Sequence, residues 1–392
     1  MKKIFVFPFL FFFIFACKKA AVTPVVTTIP PVVTTPAAYA WDKFSMGADL
    51  SYVNQIEDNG GVYRDAGTVT DAFKIFKNHG CNTVRVRLWH NPTWYTALTG
   101  GKLYSNLADV ERTIKRAKAE GMAVSLDLHY SDDWADPNTQ KTPAAWEKLS
   151  IDVLKDSVYN YTFSVLTYLK NKNLTPEMIQ IGNETNNGLL HPTGKIQNNN
   201  FKNCGILLNS GIKAVRDFST NSTIKPQVII HVAQLQFAEW WVKGITENGG
   251  VTDYDIIGLS HYNKWSKISN MTDISKIVST LRNTYNHKVM IVETAFPWTD
   301  KNADTYNNLI SNNENASDYT LTKEDQSRYL KDLTQTVITA GGSGVQYWEP
   351  AWISSNMKDR WGKGSSWENC ALFDFNGEVI QGMDFMKPNY KF

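Results

Sequence analysis

The sequence predicts a single (β/α)8 TIM barrel, an α/β fold with one catalytic-sized domain, and three observations predict it. Short apolar runs of strand character alternate with helix-like stretches from Phe44 to Glu349, there are eight of these runs, and seven of them turn to chemistry-bearing residues at their ends. Alternation of strand and helix argues for a parallel sheet. Eight repeats argue for closure rather than an open doubly wound sheet, and such barrels run past about 250 residues around one core.

In chain order the runs are FSMGADL, TVRVRLW, AVSLDLHY, MIQIGNE, QVIIHVA, IIGLSHY, VMIVETA and GVQYWEP. Between the second and third, Leu107, Val110, Ile114 and Ala117 recur at helical spacing, with Ser105 or Asn106 as cap and Gly121 as stop. Another helical stretch ends at Gly80, before the second run. The polar endings are Asp49, Trp89, His129, Asn183 and Glu184, His261 and Tyr262, Glu293, and Trp348 and Glu349. In a barrel these are the C-terminal strand ends, the face on which active sites are built.

The first forty residues stand apart. Two lysines precede the apolar run IFVFPFLFFFIFA and then Cys17, a pattern of signal-peptide type and too short to span a bilayer comfortably. Small Ala16 directly before Cys17 resembles the cleavage box of bacterial lipoproteins, so residues 1–17 are expected to be a leader and Cys17 the lipidated mature N-terminus. Residues 18–40 are rich in Pro, Thr and Val; such a stretch cannot bury enough surface to fold and reads as a semi-rigid stalk. The fold is expected from 41 to 392, held off a membrane, the outer one if the source is Gram-negative. The remaining Cys81, Cys204 and Cys370 show no metal-type spacing and are expected as buried thiols, with one disulfide pair left open.

Charge narrows the partners. Lys and Arg total 40 against 38 Asp and Glu, a net of +2, which draws the chain neither to nucleic acid nor to an acidic polymer. The thirteen Trp, seventeen Tyr and nineteen Phe fill a core or stand as stacking platforms for flat ligand faces. Nothing in the sequence calls for an oligomer, so a monomer is expected.

Glu184 and Glu293 close the fourth and seventh runs and can face each other across one pocket. Two carboxyl groups flanking a bond are what glycoside hydrolysis needs, about 5 to 5.5 Å apart when one of them attacks the sugar. Arg85, Arg87 and Trp89 alternate onto one side of the second run, and an arginine beside a carboxylate favours its charged form. His129 and His261 sit where they can meet sugar hydroxyls or titrate. Trp348, with Trp134 and Trp352, offers rings for stacking. In PWTDKNADTYNN, Asp300, Asn302 and Asp304 alternate as hard oxygen ligands suited to calcium.

The motifs GADLSY, EDNGGVYRDAG, CNTVRVRLWHNP, LDLHYSDDWADPNTQKTPAAW, IQIGNETNNGLLHPTG, DIIGLSHY, VMIVETAFPW, GVQYWEPAWI and NCALFDFNG together resemble the galactanases of glycoside hydrolase family 53, from Phe44 to about Phe375. The resemblance implies retaining hydrolysis of β-1,4-linked galactan of pectic arabinogalactan, with Glu184 as acid/base, Glu293 as nucleophile, Arg85 as the cation beside it, Asn183 on the sugar 2-hydroxyl and Tyr262 donating to Glu293. It also implies a structural Ca2+ that adds Ser365 and Glu368 to the loop ligands, with no cofactor in the chemistry. This chain departs from the family at His191, where Trp is common, and at Asn263, where Pro usually follows the tyrosine. A barrel glycosidase for another β-1,4-glycan and a non-catalytic, lipid-anchored galactan-binding protein are the alternatives.

Overall fold

The structure, a computed structural model, describes residues 39–387 and 389–392 together with Met1. The leader, Cys17 and all but the last two residues of the stalk lie outside the described residues. From Ala38 to Phe392 the chain forms one compact unit. Tyr39 already belongs to it: its backbone shares 2.9 Å hydrogen bonds with Thr223 and Lys225.

Eight parallel strands close a barrel. They are β1 (Ser45–Asp49), β2 (Thr83–Leu88), β3 (Ala123–Leu128), β4 (Met178–Ile181), β5 (Gln227–Ala233), β6 (Ile256–His261), β7 (Lys288–Thr294) and β8 (Gly344–Tyr347). Each lies beside its sequence neighbours, and β1 closes on β8 from Ser45 opposite Gly344. The crossovers carry α1 (Ala72–Asn78), α2 (Leu107–Ala119), α3 (Ile151–Lys170), α4 (Lys202–Ser219), α5 (Leu235–Glu247), α6 (Met271–Tyr285) and α7 (Lys323–Thr339). After β8 a 3-10 turn at Gln381–Met386 packs on α7 and completes the outer ring.

Local chemistry sets the boundaries. Of the two candidates for starting α2, Asn106 is the cap: its Oδ1 accepts the Asp109 N–H at 3.0 Å, meeting one of the donors a helix start leaves unpaired. Gly121, at φ +69°, follows the helix in the left-handed conformation that glycine adopts without strain. Val110, Ile114 and Ala117 are buried against the barrel, and truncating Ile114 to Ala is expected to cost about 2–5 kcal/mol. Cys81, Cys204 and Cys370 are buried and unpaired. Burial pushes the Cys81 thiol up to about 12, which leaves it inert.

The barrel interior is sealed away from the site by Met178, Ile229, Ile256, Met290 and Val292, against which Trp41 packs. Gln346 fills the space beside β1, where a Cβ on Gly47 would lie 2.5 Å from its Cγ. Above this plug the register sets polar residues side by side: Asp49 opposite Arg85, Arg87 opposite Asp127, and Asp127 opposite Gln180.

One irregularity matters. Gly258 and Leu259 pair with Met290 and Ile291, but Ser260 pairs with Glu293. Val292 is an extra residue on β7, a bulge of the kind that re-aims a side chain. Because of it Met290 and Val292 join the interior plug while Glu293 also faces the mouth of the barrel; strict alternation from Met290 would have turned Glu293 toward the helices.

Candidate active site

A cleft of about 1220 Å³ lies over the C-terminal ends of the strands. It is lined by Arg85, His129, Asn183, Glu184, Tyr262, Glu293 and Trp348, together with Trp134 and Trp352, while His261, also expected to meet sugar hydroxyls, is absent from the lining.

Arg85 is the centre of the site. Buried on β2, it extends Nη1 to Asp49 Oδ2 at 2.7 Å and Nη2 to Asp127 Oδ2 and Glu293 Oε1, each at 2.8 Å. Nη2 also reaches Asn183 Oδ1 at 3.0 Å and Gln180 Oε1 at 3.1 Å. A buried cation is tolerated only when paired and hydrogen-bonded, and here both terminal nitrogens are engaged while Nε has no partner. Its three carboxylates, Asp127, Glu293 and Asp49, hold the guanidinium charged.

The two glutamates sit in unlike surroundings. Glu293 is 5 % exposed; burial pushes its pKa up, against Arg85 and the Tyr262 hydroxyl, which donates to Oε2 at 2.9 Å. Glu184, which follows β4, receives one side-chain hydrogen bond, from Ser260 Oγ to Oε1 at 2.6 Å. Burial first, and the nearby charge of Glu293 second, push Glu184 up to about 8. A cation in contact with only one of them favours the charged form at Glu293 over that at Glu184. Carboxyls held apart in this way are what a nucleophile and a proton donor require. Tyr262, raised well above its ordinary value by burial and by Glu293, stays protonated and donating.

Asn183 gives one amide N–H to the Ala135 carbonyl at 2.8 Å, leaving the second for a ligand. His129 departs from expectation. It lines the cleft, yet Nε2 meets Asp127 Oδ2 at 3.0 Å and Nδ1 accepts from Trp89 Nε1 and the Ala135 N–H, both at 3.3 Å. With both nitrogens held by protein, it braces Asp127 and presents only ring surface to the cleft. His261 is fully buried and absent from the cleft lining, because the strand turns Ser260 and Tyr262 to the side of Glu184 and Glu293 and the residue between them away. Trp348 is partly exposed over the site, its ring 4.8 Å from Trp367 and 6.2 Å from Trp134.

Four polar residues of the site escaped the sequence reading: Asp127, Gln180, His231 and Ser260. Each is a lone polar residue inside an apolar strand run, and a buried polar side chain on the inward parity of a barrel strand was the available signal. Arg87 is buried beneath the cleft against Glu349 and the rings of Tyr52 and Trp134.

The five expected calcium ligands are engaged differently. Asp300 and Asn302 are exposed. Asp304 Oδ2 accepts from the Ser365 N–H at 2.9 Å and from Ser354, and Ser365 Oγ donates to the Trp352 carbonyl at 2.6 Å. Among the described residues no three His, Cys, Asp or Glu side chains form a metal cluster. A smaller set of hard oxygens remains: Glu368 Oε2 and Asn308 Oδ1 are buried without a partner, and Asn308 Nδ2 donates to Asn302 Oδ1 at 2.6 Å.

The profile of glycosyl hydrolase family 53 matches residues 45–386. The chain belongs to glycosyl hydrolase family 53. It is 43% identical over 353 residues to the arabinogalactan endo-beta-1,4-galactanase of Cellvibrio japonicus, covering 89% of this chain and 92% of that one. The family 53 catalytic domain from Ignisphaera aggregans superposes with a TM-score of 0.81 at 32% identity, over 92% of this chain and all of the other. A fungal beta-1,4-galactanase structure gives a TM-score of 0.73 at 28% identity, covering 88% and 99%. The family 53 match spans every strand of the barrel and both glutamates.

Proposed function

We propose that this chain is a retaining endo-β-1,4-galactanase that cleaves the galactan of pectic arabinogalactan by double displacement. The observation that carries the reading is the asymmetry of the two carboxyls: Glu293 held by Arg85 and Tyr262, Glu184 raised to about 8 with its Oε1 on Ser260. Glu293 attacks the anomeric carbon while Glu184 protonates the leaving oxygen. Glu184 then takes a proton from water, which releases the sugar from Glu293. The free amide N–H of Asn183 meets the 2-hydroxyl, a contact that tightens in the transition state, and Trp348 carries a pyranose ring. The substrate follows the activity for which the relatives are named.

Two accompanying readings rest on less. The chain is a monomer anchored through lipidated Cys17, the linker 18–40 holding the barrel off the membrane. A structural Ca2+ sits at Glu368 with Asn302 and Asn308, supported by the two orphaned buried oxygens; it braces the loop after β7 and takes no part in the chemistry.

The test is hydrolysis of linear β-1,4-galactan, with β-mannan and cellulose as controls, by a soluble form starting at Ala38 and by its Glu293→Ala variant. Galactan cleaved to short oligomers with retention of configuration, and lost in the variant, supports the reading. Cleavage of mannan or cellulose alone would move the substrate and keep the mechanism. Tight galactan binding without cleavage would overturn the enzyme and favour a capture protein.

A further inference from the structure

Glu184 stands in a backbone conformation that side-chain-bearing residues rarely adopt, φ +46°, just after Gly182 at φ +82°. Such strain costs on the order of 1–3 kcal/mol and persists only where the surroundings over-determine it. One residue supplies much of that determination. The Glu184 N–H donates to Nδ1 of His231 at 3.1 Å, and Nε2 of the same ring lies 2.9 Å from Ser260 Oγ, which reaches Glu184 Oε1 at 2.6 Å. His231 is fully buried on β5 and Ser260 fully buried on β6.

The direction of this chain of bonds follows from its ends. A backbone N–H can only donate, so Nδ1 accepts and the ring proton is on Nε2. Nε2 therefore donates to Ser260 Oγ, and the serine proton is left to point at Glu184 Oε1. The contact between Nδ1 and Asn183 Oδ1 at 3.0 Å is then a close approach without a proton between them, since Asn183 Oδ1 is already met by Arg85 and Gln180. Burial, with Arg85 close by, holds His231 well below its ordinary pKa, so the ring is neutral and one tautomer can persist. Glu184 Oε2 is left for the cleft.

We propose that His231 and Ser260 are positioning residues that clamp the acid/base glutamate at two points, backbone and Oε1, and so keep its catalytic proton on Oε2, the oxygen that faces the glycosidic bond. This rests on the role assigned to Glu184 above. A carboxylic acid free to place its proton on either oxygen would spend part of its time with the proton turned into the protein. An oxygen that always accepts from a serine hydroxyl cannot carry that proton. The groups that set the charge around Glu184 are Glu293 from β7, Arg85 from β2, Asp136 from the loop after β3, and His231. Ser260 is the uncharged member that chooses between the two oxygens.

The chemistry provides a test that a merely structural role would not pass. Acid assistance matters for a poor leaving group and hardly at all for a good one, and kcat/KM reports only the step in which the leaving group departs. Ser260→Ala and His231→Gln are compared with wild type on linear galactan and on 2,4-dinitrophenyl and phenyl β-1,4-galactobiosides. The expected result for Ser260→Ala is a loss of kcat/KM of about 10²-fold on galactan and the phenyl glycoside, within the range for general acid catalysis, and less than threefold on the dinitrophenyl glycoside. Its alkaline limb should move upward, since the hydroxyl bond that lowered the Glu184 pKa is gone. His231→Gln, which keeps a donor toward Ser260 and loses the acceptor for the backbone N–H, should show the same leaving-group dependence with a smaller loss. Equal losses on both aryl glycosides, or no loss in Ser260→Ala, would overturn the clamp. A wild type that cleaves the aryl glycosides and not galactan would overturn the substrate reading alone, with the clamp still decided by the aryl pair.

Discussion

Nη2 of Arg85 lies 2.8 Å from Oε1 of Glu293 and at the same distance from Oδ2 of Asp127, so one guanidinium edge holds the proposed nucleophile against a fixed carboxylate from a different strand. Lysine has one nitrogen and cannot also reach Asp49 through a second, as Nη1 does at 2.7 Å. Arg85→Lys is expected to fold and to lose at least 10²-fold in kcat, with KM changed little, because the lost interaction serves the reacting group. Arg85→Ala leaves Asp49, Asp127 and Glu293 together without a cation, and removing one partner of a buried ion pair costs about 3–5 kcal/mol. Thermal denaturation should show that variant markedly less stable. Wild-type kcat in Arg85→Lys would refute the role.

Glu184, pushed up to about 8 by burial and by Glu293, makes two pH predictions. Activity requires the protonated form, so kcat/KM should fall as pH rises through this region. Stability responds with a definite sign. Below the unfolded pKa of about 4.3 both states are protonated and Glu184 has no effect. As pH rises toward 8 the folded protein must keep a proton that the unfolded chain has released, and stability is lost. Glu184→Gln removes that linkage. Its melting temperature should match wild type near pH 4 and clearly exceed it near pH 8, because a rise from about 4.3 to about 8 is linked to several kcal/mol of stability. A gain independent of pH would contradict the assignment.

The barrel is readable because its signal is repetitive: eight apolar runs, seven of them polar at one end, point to one topology and one face, and Glu184, Glu293 and Arg85 fall on that face. Parity was the weak link. His261 has the residue type of a site residue, yet it is Ser260 beside it, itself fully buried, that reaches Glu184. Glu293 faces the cleft only because Val292 is bulged, and an extra residue in one strand leaves no mark in the sequence of either. His129 was legible as a site residue but not as a spent one, since its partners Trp89 and Ala135 arrive from separate segments. The loop after β7 is the least specific signal, because alternation of Asp and Asn describes a polar turn as well as a ligand set, and Asp304 accepts from the Tyr306 and Ser365 N–H groups.

Burial pushes the Glu368 carboxyl up to about 7, and its Oε2 has no partner; a bound divalent cation would satisfy that oxygen and keep the group ionised. Calcium at a hundred times its dissociation constant would add about 2.7 kcal/mol of stability. Melting temperature should therefore rise with added Ca2+ and fall with chelator, with kcat on galactan unchanged at a temperature well below melting. In Glu368→Gln the response should vanish. An identical melting curve in calcium and in chelator would remove the proposed site.

Trp361 is 62 % exposed and lines one part of the cleft, while Phe237, Trp240 and Trp265, each more than 40 % exposed, line another. Large apolar rings left in water inside a cleft mark a binding surface. Arg360, at the same rim as Trp361, is tied to Asp133 and lies with its guanidinium 4.3 Å over Trp94, which keeps this stretch of loop ordered. Because an exposed ring contributes little to the fold, Trp361→Ala should change stability by less than about 0.5 kcal/mol. A stacking contact worth about 1 kcal/mol corresponds to a fivefold rise in KM for long galactan. If Trp361 binds ground state and transition state alike, kcat stays constant and cleavage of short oligomers that do not reach it is unaffected. Unchanged KM on the polymer would show that Trp361 lies off the path of the chain.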